Sequence, residues 1–532
     1  MKCLFFAILV LLSGICNGQS KKFDFKLGTE YELPRKTSDL AFIGNDKDGI
    51  INLSLKKDEL TILRFDYKNL GQTAEKIIEL PEATKNFNSE QVIDFGTNYY
   101  WIHSDWDKGS GTEMLYYDKI DVLKGRLSET NKKLFQTTKI AAGGFASRGW
   151  YSGKAIDKYE FSRDADNTKL LVSYRLFPEE RNDKINYDIL GFQVFDDNMK
   201  KLWGGEFRMP YTEAVMDNSD FTVDYNGNAY FLAKVYDSEK RREYDKETGL
   251  PGYHYEVFKF TKDSKKPIKA VIVAEGKFIK QPSIIENAQH EIIIACTYSK
   301  KAKGGTDGVF LASFNPEGKI VSYKKGFYEF PVDELMKFEN AKARRKMEKQ
   351  DDYEASNLLI HNVVVDNDGG VFIACEEFYY VVNTYTSANG STRTSTTYYY
   401  EDIIAAKVNV SGNFEWVRKI PKRQKGLQGR GTMSFKLVAD QSGYYLLYLD
   451  NLKNMELAED EEPKYHVDGF GGQVVVSKVD MQGNLSKELV FNTREEEVQL
   501  FPVNFDKIND NQFIGRATLK RGLYKPLLIT VK

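Results

Sequence analysis

The stretch Trp101-Ile-His103-Ser-Asp105-Trp-Asp107 places an imidazole and two carboxylates at every second position. Side chains alternate along an extended strand, so His103, Asp105 and Asp107 would project to one side. An imidazole and carboxylates so placed can ligate zinc or another divalent ion, or serve as general base and orienting partner. His466-Val-Asp468 repeats that spacing in short form, while His254, His290 and His361 stand apart. Metal ligands must converge within about 2 to 2.2 Å of one ion. These residues fall in separate copies of a repeat, so the expectation is histidines in ordinary hydrogen bonds, with no metal and no cofactor.

A second set lies between Phe378 and Tyr400, where Tyr385, Arg393, Tyr398, Tyr399 and Tyr400 are interleaved with Thr and Ser around Asn389-Gly390. Asn-Gly flanked by alternating strands is a strong hairpin signal. Ten residues along each arm give a ribbon of about 33 Å, part of it inside its sheet, so it should stand off the body of the protein. Its tyrosines and arginine suit stacking on a sugar ring or anchoring a protein partner. Cross-strand Tyr and Thr pairs that only hold the ribbon together are the plainer reading. The candidate binding residues are therefore His103, Asp105, His254, His361, His466, Tyr385, Arg393, Tyr398 and Tyr399, with no catalytic residue assigned.

Local catalytic signatures are missing: no Gly-x-Ser-x-Gly elbow, phosphate-binding Gly-x-x-x-x-Gly-Lys loop, Cys-x-x-Cys pair or His-Glu-x-x-His helix occurs. Ala142-Gly-Gly-Phe145 and Gly469-Phe-Gly-Gly472 lack the strand-to-helix setting of a phosphate cradle. The Asp-rich turns do not follow a twelve-residue calcium loop.

The elements that position these residues repeat along the chain. Each copy has an alternating strand, an Asp/Asn/Gly turn, a strongly apolar strand, a variable loop, a third strand, a second turn and a fourth strand. The first turn reads Asp224-Tyr-Asn-Gly227, Asp366-Asn-Asp-Gly369 and Asp440-Gln-Ser-Gly443. The second reads Asn315-Pro-Glu-Gly318, Asn409-Val-Ser-Gly412 and Asp480-Met-Gln-Gly483. Such turns supply the positive φ of a tight hairpin. Fourth strands are expected to close at Pro34, Pro81, Pro210, Pro331 and Pro421, since proline lacks the N–H that an interior strand donates. Copies run from about 37, 90, 157, 218, 283, 358 and 432, and an incomplete one begins near 498. Its missing strand can come from Phe23 to Pro34, which would close a ring.

Ser411-Gly-Asn-Phe-Glu-Trp416, and more loosely Asp196 to Trp203, resembles the Gly-Asn-x-x-Trp turn of bacterial secreted propeller repeats. The chain thus resembles the β-propeller superfamily, without the Trp-Asp, kelch or sialidase-type signatures. The expected fold is all-β, with about eight four-stranded blades, or seven as the alternative, and one helical insertion.

Lys2, the apolar run from Cys3 to Leu12 and the small residues up to Gly18 read as a signal peptide, residues 1–18, with lipid attachment at Cys16 as the rival. Residues 19–532 then form one propeller domain in the periplasm or outside the cell, with no integral membrane segment. Cys296 and Cys375 remain, read as two buried thiols. Seventy-five Lys and Arg against 77 Asp and Glu argue against nucleic acid as a partner.

Insertions at 237–253, 332–356, 378–400 and 450–472 fall in loops that leave a blade on one face, the usual binding side. The segment 332–356 reads as one helix capped by Asp333, with Leu335, Met336, Phe338 and Met347 apolar and Arg344 to Lys346 solvated. The leading expectation is an envelope binding or scaffold protein, a monomer or part of a complex, holding a protein or glycan partner on this face. The alternative is a glycan-active hydrolase or lyase at the mouth of the channel.

Overall fold

A computed structural model describes residues 22–80, 86–141, 158–263, 266–347, 355, 358–366, 368–386, 391–427, 433–467, 472–509, 511–519 and 522–532. The segment read as a signal, Pro81, Ala142 to Phe145, the Asn389-Gly390 tip and Asp468 lie outside the described residues. Eight antiparallel sheets follow one another. Blades 1 to 7 are consecutive, at 38–79, 88–137, 159–212, 216–272, 278–329, 358–420 and 436–492. Blade 8 takes Asp506–Asn509, Gln512–Thr518 and Leu523–Val531 from the C-terminal region and its outermost strand, Phe23–Leu27, from the N-terminal region. The register runs antiparallel from Phe23↔Val531 to Leu27↔Leu527.

The strand types follow from where each sits. Second strands are packed on both faces and read as continuous apolar runs, as in Ile292–Ser299 and Gly443–Asp450, which are buried throughout. Fourth strands lie at the rim, and Gln72–Glu79 is mostly exposed. First strands line the axis and bond to one another through side chains. The Phe42 N–H donates to Asp506 Oδ2 at 2.8 Å, and the Ile284 N–H to Asp220 Oδ2 at 2.8 Å.

The core consists of eight buried clusters, each joining two consecutive blades. One of them joins Ile514 and Leu528 of blade 8 to Phe42, Ile50, Leu63 and Phe65 of blade 1. That closes the cycle at eight blades rather than seven. Each such side chain contributes about 1.5 to 3 kcal/mol when fully buried. A polar clasp reinforces this junction: Arg516 Nη2 donates to Asp39 Oδ1 at 2.8 Å, Ser54 Oγ at 2.9 Å and Asn52 Oδ1 at 3.2 Å. The protein is an eight-bladed β-propeller closed by its two ends.

The expected turns form. Gly227 has φ +79°, and its N–H donates to Asp224 O at 2.7 Å while Asp224 Oδ1 accepts the Asn228 N–H. Three details differ from expectation. Pro210 lies within the outer strand Lys201–Thr212 rather than at its end, which an edge strand tolerates because its outward N–H has no ladder partner. The 332–356 insertion holds two short helices, Val332–Leu335 and Ala341–Met347, instead of one. Phe338 between them takes φ +61° and donates its N–H to Glu459 O, which ends the first helix. Pro331, not Asp333, occupies its N-cap, without a side-chain capping bond. Cys296 and Cys375 are buried free thiols. Among the described residues no helix is long and apolar enough to cross a membrane.

Candidate functional site

In a four-stranded blade the loop between strands two and three and the link to the next blade leave on one side. All four insertions occupy those two loop types. His290 sits in a turn on the opposite side, its ring centroid 4.1 Å from that of Tyr225 and its Nδ1 3.3 Å from Glu286. His254 stays on blade 4, where Nε2 meets Glu256 Oε1 at 3.2 Å, an oxygen that also accepts from Tyr211 and Lys269 at 2.9 Å. That bond to Glu256 holds the His254 pKa above its ordinary value.

The long hairpin forms as expected. Val371–Thr386 and Thr392–Val408 stay paired from Phe378↔Tyr400 out to Thr386↔Thr392. Beyond the blade one face carries Tyr379/Tyr399, Val381/Thr397, Asn383/Ser395 and Tyr385/Arg393, and the other carries Tyr380/Tyr398, Val382/Thr396 and two Thr/Thr pairs. Tyr379 and Tyr399 stack on each other, with centroids 4.6 Å apart and planes at 8°, so Tyr399 belongs to the packing of the ribbon. Farther out, Tyr380, Val382 and Tyr385 are 50%, 52% and 61% exposed.

The root of this hairpin is fixed by a buried ionic network that sequence reading missed. Glu376, fully buried, meets Lys422 Nζ at 2.6 Å, His361 Nε2 at 2.9 Å and Ser434 Oγ at 2.7 Å. Burial alone would raise its pKa, but Lys422 and His361 hold it below the usual carboxylate value. Lys419 reaches Asp402 at 3.3 Å and Glu339 of the helical insertion at 2.7 Å. Burial and the adjacent Asp402 push Glu377 up. Tyr379 and Tyr465 both donate to Glu401, and Lys425 lies 4.7 Å over the Tyr465 ring. His466 pairs in parallel with Gln424, and its N–H donates to Arg423 O at 2.8 Å. The helical insertion joins the same assembly through Phe338, Arg344 and Lys337, all bonded to Glu459. Arg344 is thus docked rather than solvated. Hairpin, helical insertion and the 450–467 segment form one platform on blades 6 and 7. The doublets Glu376-Glu377 and Glu401-Asp402 at the ends of apolar strands were the sequence signal.

His103 and Asp105 belong to a different neighbourhood. His103 stacks on Tyr116 with centroids 5.6 Å apart, Phe87 packs tilted at 5.3 Å, and His103 Nε2 meets Asp118 Oδ1 at 3.3 Å. Both His103 and Asp105 line a cavity of about 270 Å³ between blades 1 and 2, together with Glu79, Tyr116 and Asp118. Their common side was legible from the alternation. Asp107 instead closes the following turn, accepting from the Gly109 N–H at 2.8 Å and Ser110 Oγ at 2.6 Å, bonds that lower its pKa. His103 and Asp105 lie on blade 2, whereas His361 and His466 belong to the platform on blades 6 and 7. No group of three or more His, Cys, Asp or Glu among the described residues is placed to hold a metal ion.

No family model and no curated protein sequence matches the chain. Solved structures with a similar chain path include the acylaminoacyl peptidase of Pyrococcus horikoshii, at 10% identity and TM-score 0.37, covering 91% of this chain and 58% of that one. The β-propeller domain of the Trilobed protease from Pyrococcus furiosus shows 10% identity and TM-score 0.36, with 86% and 97% covered. Prolyl oligopeptidase B from Galerina marginata shows 9% identity and TM-score 0.39, with 93% and 55% covered. This chain spans little more than half the length of the two peptidases.

Proposed function

We propose that the chain is an exported envelope binding or scaffold protein that uses the hairpin on blades 6 and 7 to hold a protein or glycan partner. The observation that carries this is a two-stranded ribbon with exposed Tyr380, Val382 and Tyr385 on a root clamped by buried ion pairs. An isolated two-stranded ribbon is marginal in water, so a rigid base that presents aromatic and branched side chains outward suits recognition. The charged, apolar and small-residue order of residues 1–18 supports export.

The test compares the full chain with a variant in which 379–399 is replaced by a short turn, and with Tyr380→Ser/Val382→Ser/Tyr385→Ser. Each is immobilised, then challenged with native envelope extract and with a glycan array. Loss of the same bound species in both variants, with an unchanged thermal transition for the triple variant, is the expected result. Equal capture by all three proteins rejects the reading.

A further inference from the structure

The long hairpin leaves its blade at one irregular step. Glu376 pairs with Ile403 and Phe378 with Tyr400, so the single residue Glu377 lies opposite two, Glu401 and Asp402. Such a bulge bends the strand that carries the extra residue. The first strand of blade 6 also stops here, at Leu358↔Glu377. Among the described residues, the ribbon beyond is paired from outside only at Tyr398 to Tyr400, by Gln424–Gly426. A hinge therefore lies between blade and ribbon, and Glu377, Glu401 and Asp402, which form it, are all acidic and 6%, 9% and 0% exposed.

The charges around this hinge do not balance. Glu376 faces Lys422 and His361. Asp402 meets Lys419 Nζ at 3.3 Å and accepts the Lys422 N–H at 3.1 Å. Lys419 is shared with Glu339 of the helical insertion, at 2.7 Å, and Arg423 is drawn to Glu339 and to the more exposed Glu462. Glu334, next to them, has its own cation in Lys337 at 3.2 Å. Glu401 accepts from Tyr379 and Tyr465, which are neutral donors. Glu339, Glu376, Glu377, Glu401 and Asp402 thus share Lys419, Lys422 and Arg423 as their permanent cations. Buried carboxylates in excess of their counter-ions disfavour full ionisation, and a proton on one of them relieves the repulsion. Burial and the neighbouring Asp402 push Glu377 up to about 7, against the pull of Lys419, whereas Lys422 and His361 hold Glu376 low.

We propose that the root of the hairpin is a proton-held hinge: one proton bound by Glu377 at the bulge keeps the ribbon seated on blade 6, and its release frees the ribbon to tilt. A carboxyl that binds its proton more tightly in the seated state than in water stabilises seating fully at low pH. That contribution falls as pH rises from about 4.3 through about 7. Acidity thus fixes the direction in which Tyr380, Val382 and Tyr385 are presented, and alkalinity releases it. As a regulatory device this rests on the hairpin being the recognition element, but the hinge is measured on the protein alone, so failure of partner capture and failure of the hinge are separate outcomes.

Amide hydrogen exchange of the full chain, corrected for the intrinsic pH dependence of exchange, reads the hinge. Protection of ribbon amides in 378–386 and 392–400 should fall about tenfold from pH 6 to pH 8, the change linkage gives for one proton held near 7 and lost on opening. Ile292–Ser299 of blade 5 should not change and serves as the internal reference. Glu377→Gln, an uncharged isostere of the protonated carboxyl, should hold the ribbon at its pH 6 protection at both values. Infrared spectra in heavy water should show a protonated carboxyl band at pH 6 that fades by pH 8 and is missing from Glu377→Gln. A pH dependence that survives in Glu377→Gln would place the titrating group elsewhere and overturn the proposal, as would a carboxyl band that the substitution leaves unchanged. If that variant does not fold, the unaltered chain decides, because equal ribbon protection at pH 6 and pH 8 or the lack of a fading carboxyl band also overturns it.

Discussion

The blade 6–7 platform and the blade 1–2 cavity use the same chemical vocabulary, buried carboxylates beside histidine, in different settings. At the platform Glu376 is surrounded by Lys422, His361 and Ser434. At the cavity His103 and Asp118 meet at 3.3 Å on the wall of an unfilled space, and Asp118 also accepts the Asn131 N–H. Residue type therefore does not fix how such a group is surrounded. The separation lies in the surroundings, close-packed side chains and a buried lysine at the platform and an unfilled space at the cavity.

The largest expected effect comes from breaking the platform. Lys422→Met strands the Glu376 carboxylate in the core and should cost about 3 to 5 kcal/mol, read by urea denaturation. Adding Glu376→Gln should recover a good part of that loss, and an unimproved double variant would mean that Lys422 acts through packing alone. An intermediate case is Asp506, half-buried near the channel axis with the Phe42 N–H as donor and no ion pair among the described residues. Desolvation among the neighbouring strands pushes it up to about 6, against the pull of Lys436. A carboxyl raised in the folded state binds its proton more tightly there than when unfolded, so its contribution to stability falls as pH rises from about 4 through about 6. Asp506→Asn, which keeps an acceptor for Phe42, should raise stability at pH 7.5 by about 1 to 3 kcal/mol. It should be nearly neutral at pH 4, and an equal effect at both values would show that the gain is not protonation. The smallest effect belongs to the cavity: Asp105→Asn should shift stability by less than about 0.5 kcal/mol. A large loss there would place Asp105 among the structural carboxylates and erase the contrast between the two regions.

Much of the fold was legible because it is encoded locally. Turns such as Asp224 to Gly227 and apolar second strands such as Ile292–Ser299 carry their signals within a few residues. The closing of the ring by Phe23–Leu27 could be deduced by counting strands, since the last copy lacked one. The two-helix insertion was not legible, because the break at Phe338 depends on Glu459, a tertiary partner. The sites divide in the same way. Alternation places His103 and Asp105 on one side, but Asp118 becomes their neighbour only once the register pairs it with Trp101 in the adjacent strand. Lys422 and Glu376 likewise come together across sheet connections that no local pattern specifies.

The pairing of Phe23–Leu27 with Leu523–Val531 also constrains how the molecule is made. The first strand must wait, without its own sheet, until the last strand has been synthesised, because loop closure over such a separation precedes the contacts that reward it. Growth of the ring from its middle blades outward, with joining of the ends as the final and slowest step, is the resulting assembly order. A deletion of residues 22–34 should therefore leave early folding phases intact while removing the slow one, and the remaining open sheet edge should make the product self-associate.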